Sequence, residues 1–185
     1  MPVNQILQMF LGMMLVSLPA SAGQPFGPNG GKGSDCGTAD FHFGIDRAAA
    51  TGSPVTAVAH GIVVKVEDDD NALNDGGGHC GRYVVIRHNY PNGRVVFTRY
   101  ARLGRIVGDN ARRIAAGLIV QRNEKIGEVG GFREFHFEVR PVDQYIVERF
   151  GPHTIDDPSM NWLNVHPVDP RKFDFEAFAA PGRNE

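Results

Sequence analysis

The 185-residue sequence has little of several features that would indicate a function directly. Its 19 Lys and Arg residues nearly balance its 21 Asp and Glu residues, which leaves a formal net charge of −2. This near neutrality gives no basic surface for nucleic acid or for an anionic membrane, so we expect no nucleic-acid partner. The two cysteines lie far apart and form no C-x-x-C motif, which argues against a cysteine-rich zinc knuckle.

Charge is also missing from the first 22 residues, which contain no Lys, Arg, Asp or Glu. An apolar run from Ile6 to Leu18 precedes Pro19 and the small residues Ala20-Ser21-Ala22, a pattern typical of an export signal. The run is too short to span a bilayer comfortably. We therefore predict cleavage after Ala22 and an exported protein, periplasmic or extracellular, with no transmembrane span afterwards. Because the start lacks the usual basic residue, a retained amphipathic anchor or a misassigned start is the alternative.

Export bears on the two cysteines, Cys36 and Cys80. An even cysteine count in an oxidising compartment favours a disulfide bond. In the chain-entropy model, a bridge across this loop would stabilise the fold by roughly 4 kcal/mol. Two unpaired thiols are the alternative.

The chain is rich in turn-forming residues, with 23 glycines and 12 prolines but no Gly-X-Y period. Short runs rich in Val, Ile, Phe and Tyr alternate with turn signals, which is the pattern of β-strands. These runs are 55–59, 61–67, 82–88, 94–100, 118–121, 125–129 and 134–140. They predict one all-β, mostly antiparallel domain with groove-forming loops, in which 82–88 and 94–100 form the clearest hairpin. The Gly-rich segment 23–41 and the acidic segment 67–79 are predicted to be loops.

The last predicted strand has an alternating pattern that places its polar residues on one face. In the stretch Glu134-Phe135-His136-Phe137-Glu138, the three polar residues share one face and the two phenylalanines share the other. Such a strand could hold the side chains of a functional site in fixed positions. An ordinary strand with one solvated face has the same pattern.

A second candidate lies near the start of the domain, where His42 and Asp46 have His-x-x-x-Asp spacing. Imidazole nitrogen and carboxylate oxygen are both good zinc ligands. The spacing alone is weak evidence, since it recurs at His153 and Asp157 in a proline-flanked loop. We interpret that second pair as coincidental.

The order of motifs strengthens the first pair. The sequence reads HFGID at 42–46, YARL at 100–103, IGEVG at 126–130 and EFHFE at 134–138. This order resembles the lysostaphin-type, or LytM-like, zinc endopeptidases of metallopeptidase family 23. Their motifs are H-x-G-x-D, Y-x-H-L, I-G-x-x-G and H-L-H-F-E. The resemblance runs from His42 to Arg140, with a plausible closing Val168-Asp169-Pro170.

The resemblance implies a zinc site and a substrate. Zinc would be held by His42, Asp46 and His136, and three protein ligands leave a fourth position for water, as in catalytic zinc sites. The implied substrates are the stem or cross-link peptides of peptidoglycan. The implied layout is a signal peptide at 1–22, a Gly-rich segment at 23–41, a peptidase-like domain at 42–170 and a tail at 171–185. The oligomeric state is not readable from the sequence.

Two positions depart from the family pattern. Glu134 replaces the first histidine of the last motif, and Arg102 replaces the histidine of the Y-x-H-L motif. In the family these histidines are read as general base and transition-state stabiliser. One hypothesis gives these roles to Glu134, as a carboxylate base, and to Arg102, as the group that faces the developing oxyanion. The other pairs Glu134 with Arg102 and leaves a non-hydrolytic module that binds wall peptides or regulates another hydrolase.

Overall fold

The computed structural model describes residues 23–28, 36–38, 40–70, 80–90, 93–142 and 165–176. The predicted signal, the His153–Asp157 pair and the end of the tail lie outside these residues. In chain order the strands are β1 Gly27–Pro28, β2 Phe41–His42, β3 Ile45–Ala48, β4 Pro54–Thr56, β5 Gly61–Glu67, β6 Arg82–Asn89, β7 Val95–Arg105, β8 Ile119–Val120, β9 Lys125–Val129 and β10 Glu134–Pro141. A single 3₁₀ turn, Asp109–Ala111, follows β7. None of the described helical segments has the length and apolar character needed to cross a membrane.

The strands form one main antiparallel sheet, which confirms the predicted all-β fold. The strand order is β3-β10-β7-β6-β5-β8, and β9 pairs with both β7 and β4. The predicted hairpin is present as β6 and β7, which pair from Asn89 opposite Val95 to Arg82 opposite Leu103. A separate two-stranded ribbon joins β1 to β2.

The ribbon corrects the prediction that 23–41 is a loop. Gly27 pairs with His42 and Pro28 pairs with Phe41, while the rings of Phe26 and Phe41 meet edge to face at 5.1 Å. A ribbon with only two residues in each strand is too short to show an alternating pattern of side chains. The Gly-rich composition of this segment therefore predicted a loop. The remaining predicted strands are present with shifted ends, and the strand at 45–48 was not predicted.

The central strands are buried on both faces. On one face Val84 and Ile86 of β6 pack with Tyr100 and Phe137 in the larger apolar cluster. On the other face Val85 packs in a smaller cluster that also contains Cys36, Cys80, Phe97 and Ala101. Burial on both faces explains the nearly continuous apolar run in β6, and each fully buried Val or Ile contributes roughly 1.5–3 kcal/mol.

A disulfide bond joins Cys36 to Cys80, as the even cysteine count favoured. Its first cysteine precedes β2 and its second precedes β6, with 44 residues of sequence separation. Both cysteines are buried in the smaller cluster. The bridge therefore ties the segment that leads into His42 to the central hairpin.

Replacing both cysteines by serine is expected to lower the free energy of unfolding by roughly 4 kcal/mol, because the unfolded chain regains loop entropy. Urea denaturation of the wild type with and without dithiothreitol, beside the C36S/C80S variant, measures this difference. Equal stability of the oxidised and reduced wild type would contradict the expectation.

His88 is a buried structural histidine on the opposite side of the sheet from the disulfide. Its Nδ1–H donates to the carbonyl of His60 at 2.7 Å, and its Nε2 accepts from the hydroxyl of Thr98 at 2.8 Å. With both nitrogens engaged in this way the imidazole is neutral. Burial lowers the pKa of His88 from 6.5 to about 4.

This shift predicts an acid-sensitive fold. Between pH 6.5 and 4 the unfolded chain binds a proton at position 88 that the folded chain does not bind, so stability falls as the pH falls. The loss attributable to His88 reaches roughly 3 kcal/mol near pH 4. Urea midpoints at pH 7, 5.5 and 4 should fall less steeply in His88→Gln than in the wild type. The exposed His166 provides the control, and a His166→Gln variant that flattened the profile equally would refute the assignment.

Candidate metal centre

The centre lies where β3 and β10 run side by side. Asp46 of β3 stands opposite His136 of β10 in the register, and β2 ends at His42. Gly44 allows this approach, since a Cβ at position 44 would lie 2.2 Å from the carbonyl oxygen of Phe137 and 2.8 Å from the His136 ring. A residue with any side chain would push the two strands apart, which explains the glycine between the two ligand positions.

Three candidate ligand atoms converge in this corner. His42 Nε2 lies 3.0 Å from His136 Nδ1, and Asp46 Oδ1 lies 3.1 Å from His136 Nδ1 and 3.4 Å from His42 Nε2. All three residues are buried. Among the described residues, this is the group of His, Cys, Asp and Glu side chains whose ligand atoms lie close enough to hold a metal ion.

The separations are close to those around a tetrahedral metal. Bonds of ~2.0–2.2 Å at tetrahedral angles place neighbouring ligand atoms roughly 3.3–3.6 Å apart. Two of the observed separations, 3.0 and 3.1 Å, lie just below this range, and the third, 3.4 Å, lies within it. Three protein ligands of this type leave one coordination position for a small molecule, which is the pattern of catalytic rather than structural zinc sites.

The outer atom of each ligand has its own partner, and these partners orient the inward atoms. His42 Nδ1 lies 2.9 Å from the carbonyl of Pro25, and His136 Nε2 lies 2.9 Å from Glu138 Oε1. Both partners accept hydrogen bonds, so each ring carries a proton on its outer nitrogen. The inward nitrogens face each other and the Asp46 carboxylate, and this arrangement requires a positive charge, a proton or a metal cation, at its centre.

Asp46 is ionised in this setting. Burial would raise the pKa of its carboxyl, but the contacts with His136 and His42 outweigh burial and hold the pKa well below its usual range. Its second oxygen, Oδ2, lies 3.4 Å from Arg102 Nη1. The set thus offers two imidazole nitrogens and one anionic oxygen, which suits a divalent cation.

Glu138 anchors the centre from behind and was not predicted as a site residue. Besides His136, its carboxylate accepts from Arg99 Nη1 at 3.0 Å and from Arg140 Nε at 2.8 Å. Burial would raise the pKa of Glu138, but Arg99 and the other cations hold it far below its usual range. The predicted polar face of β10 is therefore buried, and two arginines neutralise the carboxylate there.

Arg102 and Glu134 lie beside the ligands and contact each other. Arg102 Nη1 donates to Glu134 Oε1, so the ion pair raised by the second sequence hypothesis is present. Burial raises the pKa of Glu134, as does the neighbouring Asp46. The two side chains are 12% and 24% exposed, so solvent reaches the pair.

A bulge in β7 aims Arg102 at the centre. Strict alternation would turn position 102 away from Arg99 and Ala101, which face the smaller cluster. The pairing of β7 with β6 shifts register here, and Arg102 adopts a φ of +59°. Its N–H donates to the carbonyl of Cys80 at 3.0 Å. A bulge of this kind redirects a side chain, and here it brings the guanidinium to Asp46 and Glu134.

An open cleft of about 510 Å³ adjoins Arg102. Its lining includes Gly130, Gly131, Arg82 and Phe132, which is 74% exposed. The Phe132 ring centre lies 5.6 Å from Arg102 Cζ. An exposed aromatic ring next to a charged group gives the cleft one apolar and one polar wall.

Comparison with known proteins identifies the family. The model of Peptidase family M23 matches residues 40–147, which is more than half of the chain and includes every residue of the centre apart from the Pro25 carbonyl. The chain belongs to Peptidase family M23. An uncharacterised metalloprotease from Haemophilus influenzae is 32% identical over 138 residues, a match that covers 70% of this chain. The chain spans about a quarter (25%) of the length of that relative.

Several solved structures are similar to this chain. Lysostaphin from Staphylococcus simulans, an antimicrobial peptidase, has a TM-score of 0.50 at 19% identity, covering 91% of this chain and 55% of its own. A mutant catalytic domain of the prophage-encoded M23 protein EnpA from Enterococcus faecalis has a TM-score of 0.49 at 24% identity and covers 81% and 88%. A zinc-containing peptidase from Vibrio cholerae has a TM-score of 0.46 at 29% identity and covers 67% and 34%. The likeness to lysostaphin is evidence for the fold alone.

The structure brings together all five of the predicted site residues in this M23 domain: His42, Asp46, Arg102, Glu134 and His136. The supporting carboxylate and its two arginines were missed. Their signal was present in the EFHFEVR stretch, in which Glu138 shares the face of His136 and Arg140 follows on the same face.

Replacing Glu138 by glutamine is expected to weaken zinc binding about 10- to 100-fold, because the neutral amide no longer holds and polarises the His136 ring. Competition titration against a zinc-sensitive dye measures the affinity. Glu128→Gln, which also removes a charge from a carboxylate paired with cations, is the matched control and should bind zinc as the wild type does. Far-UV circular dichroism confirms that both variants are folded. Unchanged affinity in folded Glu138→Gln would contradict a supporting role.

Proposed function

We propose that this M23 domain is an exported zinc metalloendopeptidase that hydrolyses peptide bonds in the stem or cross-link peptides of peptidoglycan. The observation that carries the proposal is the centre itself. Three ligand atoms face one another, and the outer partners of His42, His136 and Asp46 hold them there. Three buried ligand atoms that outer partners hold this close together have a clear use as a metal site.

The donor set of two imidazoles and one carboxylate fits zinc, and His42, Asp46 and His136 would hold it. When bound, zinc lowers the pKa of a water molecule and polarises a carbonyl group. The protein contributes fixed ring orientations through Pro25 and Glu138. Because these orientations are set by the fold, the ligand atoms need only move apart by roughly 0.3 Å to receive the ion.

In the hydrolytic proposal Glu134 acts as the general base and Arg102 stabilises the developing negative charge at the scissile bond. Glu134 shares a face of β10 with His136, so its carboxylate is placed to accept a proton near the metal. Arg102 carries a permanent charge and lies between the centre and the open cleft, where it would stabilise negative charge that develops on a carbonyl oxygen. Substrate binding must first separate the two side chains, since each engages the other.

Export and the wall substrate are supported less directly. The disulfide between Cys36 and Cys80 is typical of an oxidising compartment, in agreement with the predicted signal. Peptidoglycan peptides are the substrates implied by the resemblance to the lysostaphin-type enzymes. The cleft beside Arg102 is open at one side, as binding of an extended peptide requires.

The ion pair favours a second candidate, a zinc-binding module that binds wall peptides or regulates another hydrolase without cleaving. A Glu134 carboxylate held by Arg102 is a poorer base, and loss of acid–base help costs about 100- to 10,000-fold in rate. In this candidate the pair and the metal stabilise a binding surface.

Digestion of purified peptidoglycan sacculi by the zinc-loaded protein distinguishes the candidates. The hydrolytic proposal expects soluble peptide release and new amino groups, and it expects Glu134→Ala to lose at least ~100-fold in rate with zinc retained. Glu67→Ala, in β5 and three strands from β10 in the sheet order, should remain fully active. Release that is undiminished in Glu134→Ala would remove Glu134 from the mechanism.

The second candidate makes the opposite prediction. It expects one zinc per chain, binding to sacculi and no released peptides at any protein concentration. Restoring the family histidines in an Arg102→His, Glu134→His double variant should then create hydrolysis that the natural chain lacks. A wild type that is as active as the double variant would eliminate this candidate.

A further inference from the structure

The reverse side of the strands that carry the centre holds a second feature. Because side chains alternate, Asp46 and His136 face the metal centre, whereas the next register pair, Arg47 and Phe135, faces the other way. On that side lies a cavity of about 260 Å³, lined mainly by Arg47, Tyr100, Arg122, Asn123, Phe135 and Phe137. Nothing in the metal site uses this cavity.

Arg47 lacks the partners that a partly buried guanidinium normally has. Its Nε is buried without a hydrogen-bond partner among the described residues. Its Cζ lies 5.7 Å from the centre of the Phe137 ring. Burial lowers the pKa of Arg47, although arginine remains charged at neutral pH. An unpaired buried donor is costly, and more so when it is charged.

The other groups around the cavity do not neutralise this charge. The described lining contains no Asp or Glu side chain. Arg122 is already paired through Nη1 with Glu176 Oε1 at 2.6 Å. The Tyr100 hydroxyl accepts from the N–H of Val58 at 2.9 Å and lies 3.4 Å from Thr98 Oγ1. Burial raises the pKa of Tyr100 to about 12, so the phenol stays neutral. Among the described residues that line the cavity, Arg47 therefore carries a positive charge that no neighbouring carboxylate offsets.

We propose that this cavity binds the C-terminal residue of a peptide through its free α-carboxylate. A carboxylate is a monoanion that matches the single charge, and its two oxygens match the guanidinium fork. The rings of Phe135 and Phe137 give an apolar wall for a side chain, and the cavity lies just below the ~300–1,000 Å³ range of ordinary ligand pockets, which suits one residue. A free amino acid fits less well, because its ammonium group would meet Arg47 and Arg122.

The proposal concerns binding and is independent of hydrolysis at the metal centre. It therefore holds or fails whichever of the two candidate functions is correct.

Nuclear magnetic resonance titration of the ¹⁵N-labelled protein tests it, with N-acetyl-leucine as the probe. We expect saturable shifts of the Arg47 Nε–H signal and of amides in β4. Arg47→Met keeps the aliphatic stem and should weaken binding roughly 10- to 100-fold, the loss expected for hydrogen bonds to a charged group. Arg113→Met removes an exposed arginine that does not line the cavity and should leave the affinity unchanged.

Three further probes, used with the wild type, determine which chemical group of the ligand is recognised. This part of the test does not depend on the folding of a variant. The methylamide of N-acetyl-leucine, free leucine and inorganic phosphate should each bind at least about 10-fold more weakly than N-acetyl-leucine. Equal binding of any one of them would overturn the proposal. Absence of shifts with N-acetyl-leucine up to roughly 50 mM, or full affinity in Arg47→Met, would overturn it as well.

Discussion

Two inward imidazole nitrogens and a carboxylate face one another inside the sheet, and this arrangement requires a positive charge, a proton or a metal ion, among them. The rest of the site follows from that electrostatic constraint. The Pro25 carbonyl and Glu138 hold the ring protons on the outer side, so the inward nitrogens of His42 and His136 stay available. Glu138 in turn needs Arg99 and Arg140, because a carboxylate buried among apolar strands is stable only with cations around it.

Such a constraint needs a stiff support, and the fold supplies it by placing the site on paired strands instead of loops. Asp46 and His136 are direct register partners, so the ladder between β3 and β10 sets their separation. Gly44 permits the close approach that brings His42 back to them. The disulfide holds the segment before His42 to the central hairpin. The same two strands present Arg47 and Phe135 on their other face, so both faces of one ladder carry polar chemistry.

The sequence predicted the parts that depend on local pattern. Period-two alternation placed His136 between two phenylalanines, and the resemblance to a family supplied the ligand set. The bulge at Arg102 could not be predicted in this way. A single residue in the left-handed region redirects its side chain without changing the pattern of apolar residues in the sequence. The burial of Glu138 was also beyond it, since alternation separates two faces of a strand but does not tell which face is covered. That information comes from Arg99 and Arg140, which only the folded sheet brings together.

The need for a positive charge at the centre also gives a structural reason for Arg102 and Glu134, which replace two histidines of the family pattern. Asp46 turns Oδ1 toward the histidines and Oδ2 toward Arg102, so the guanidinium does for Asp46 what Glu138 does for His136. With Arg102 in place, all three ligands have an outer partner. Next to a bound divalent cation a lone guanidinium would be unfavourable, and the contact with Glu134 offsets its charge. In this structure the pair therefore supports the Asp46 carboxylate, whatever its part in hydrolysis.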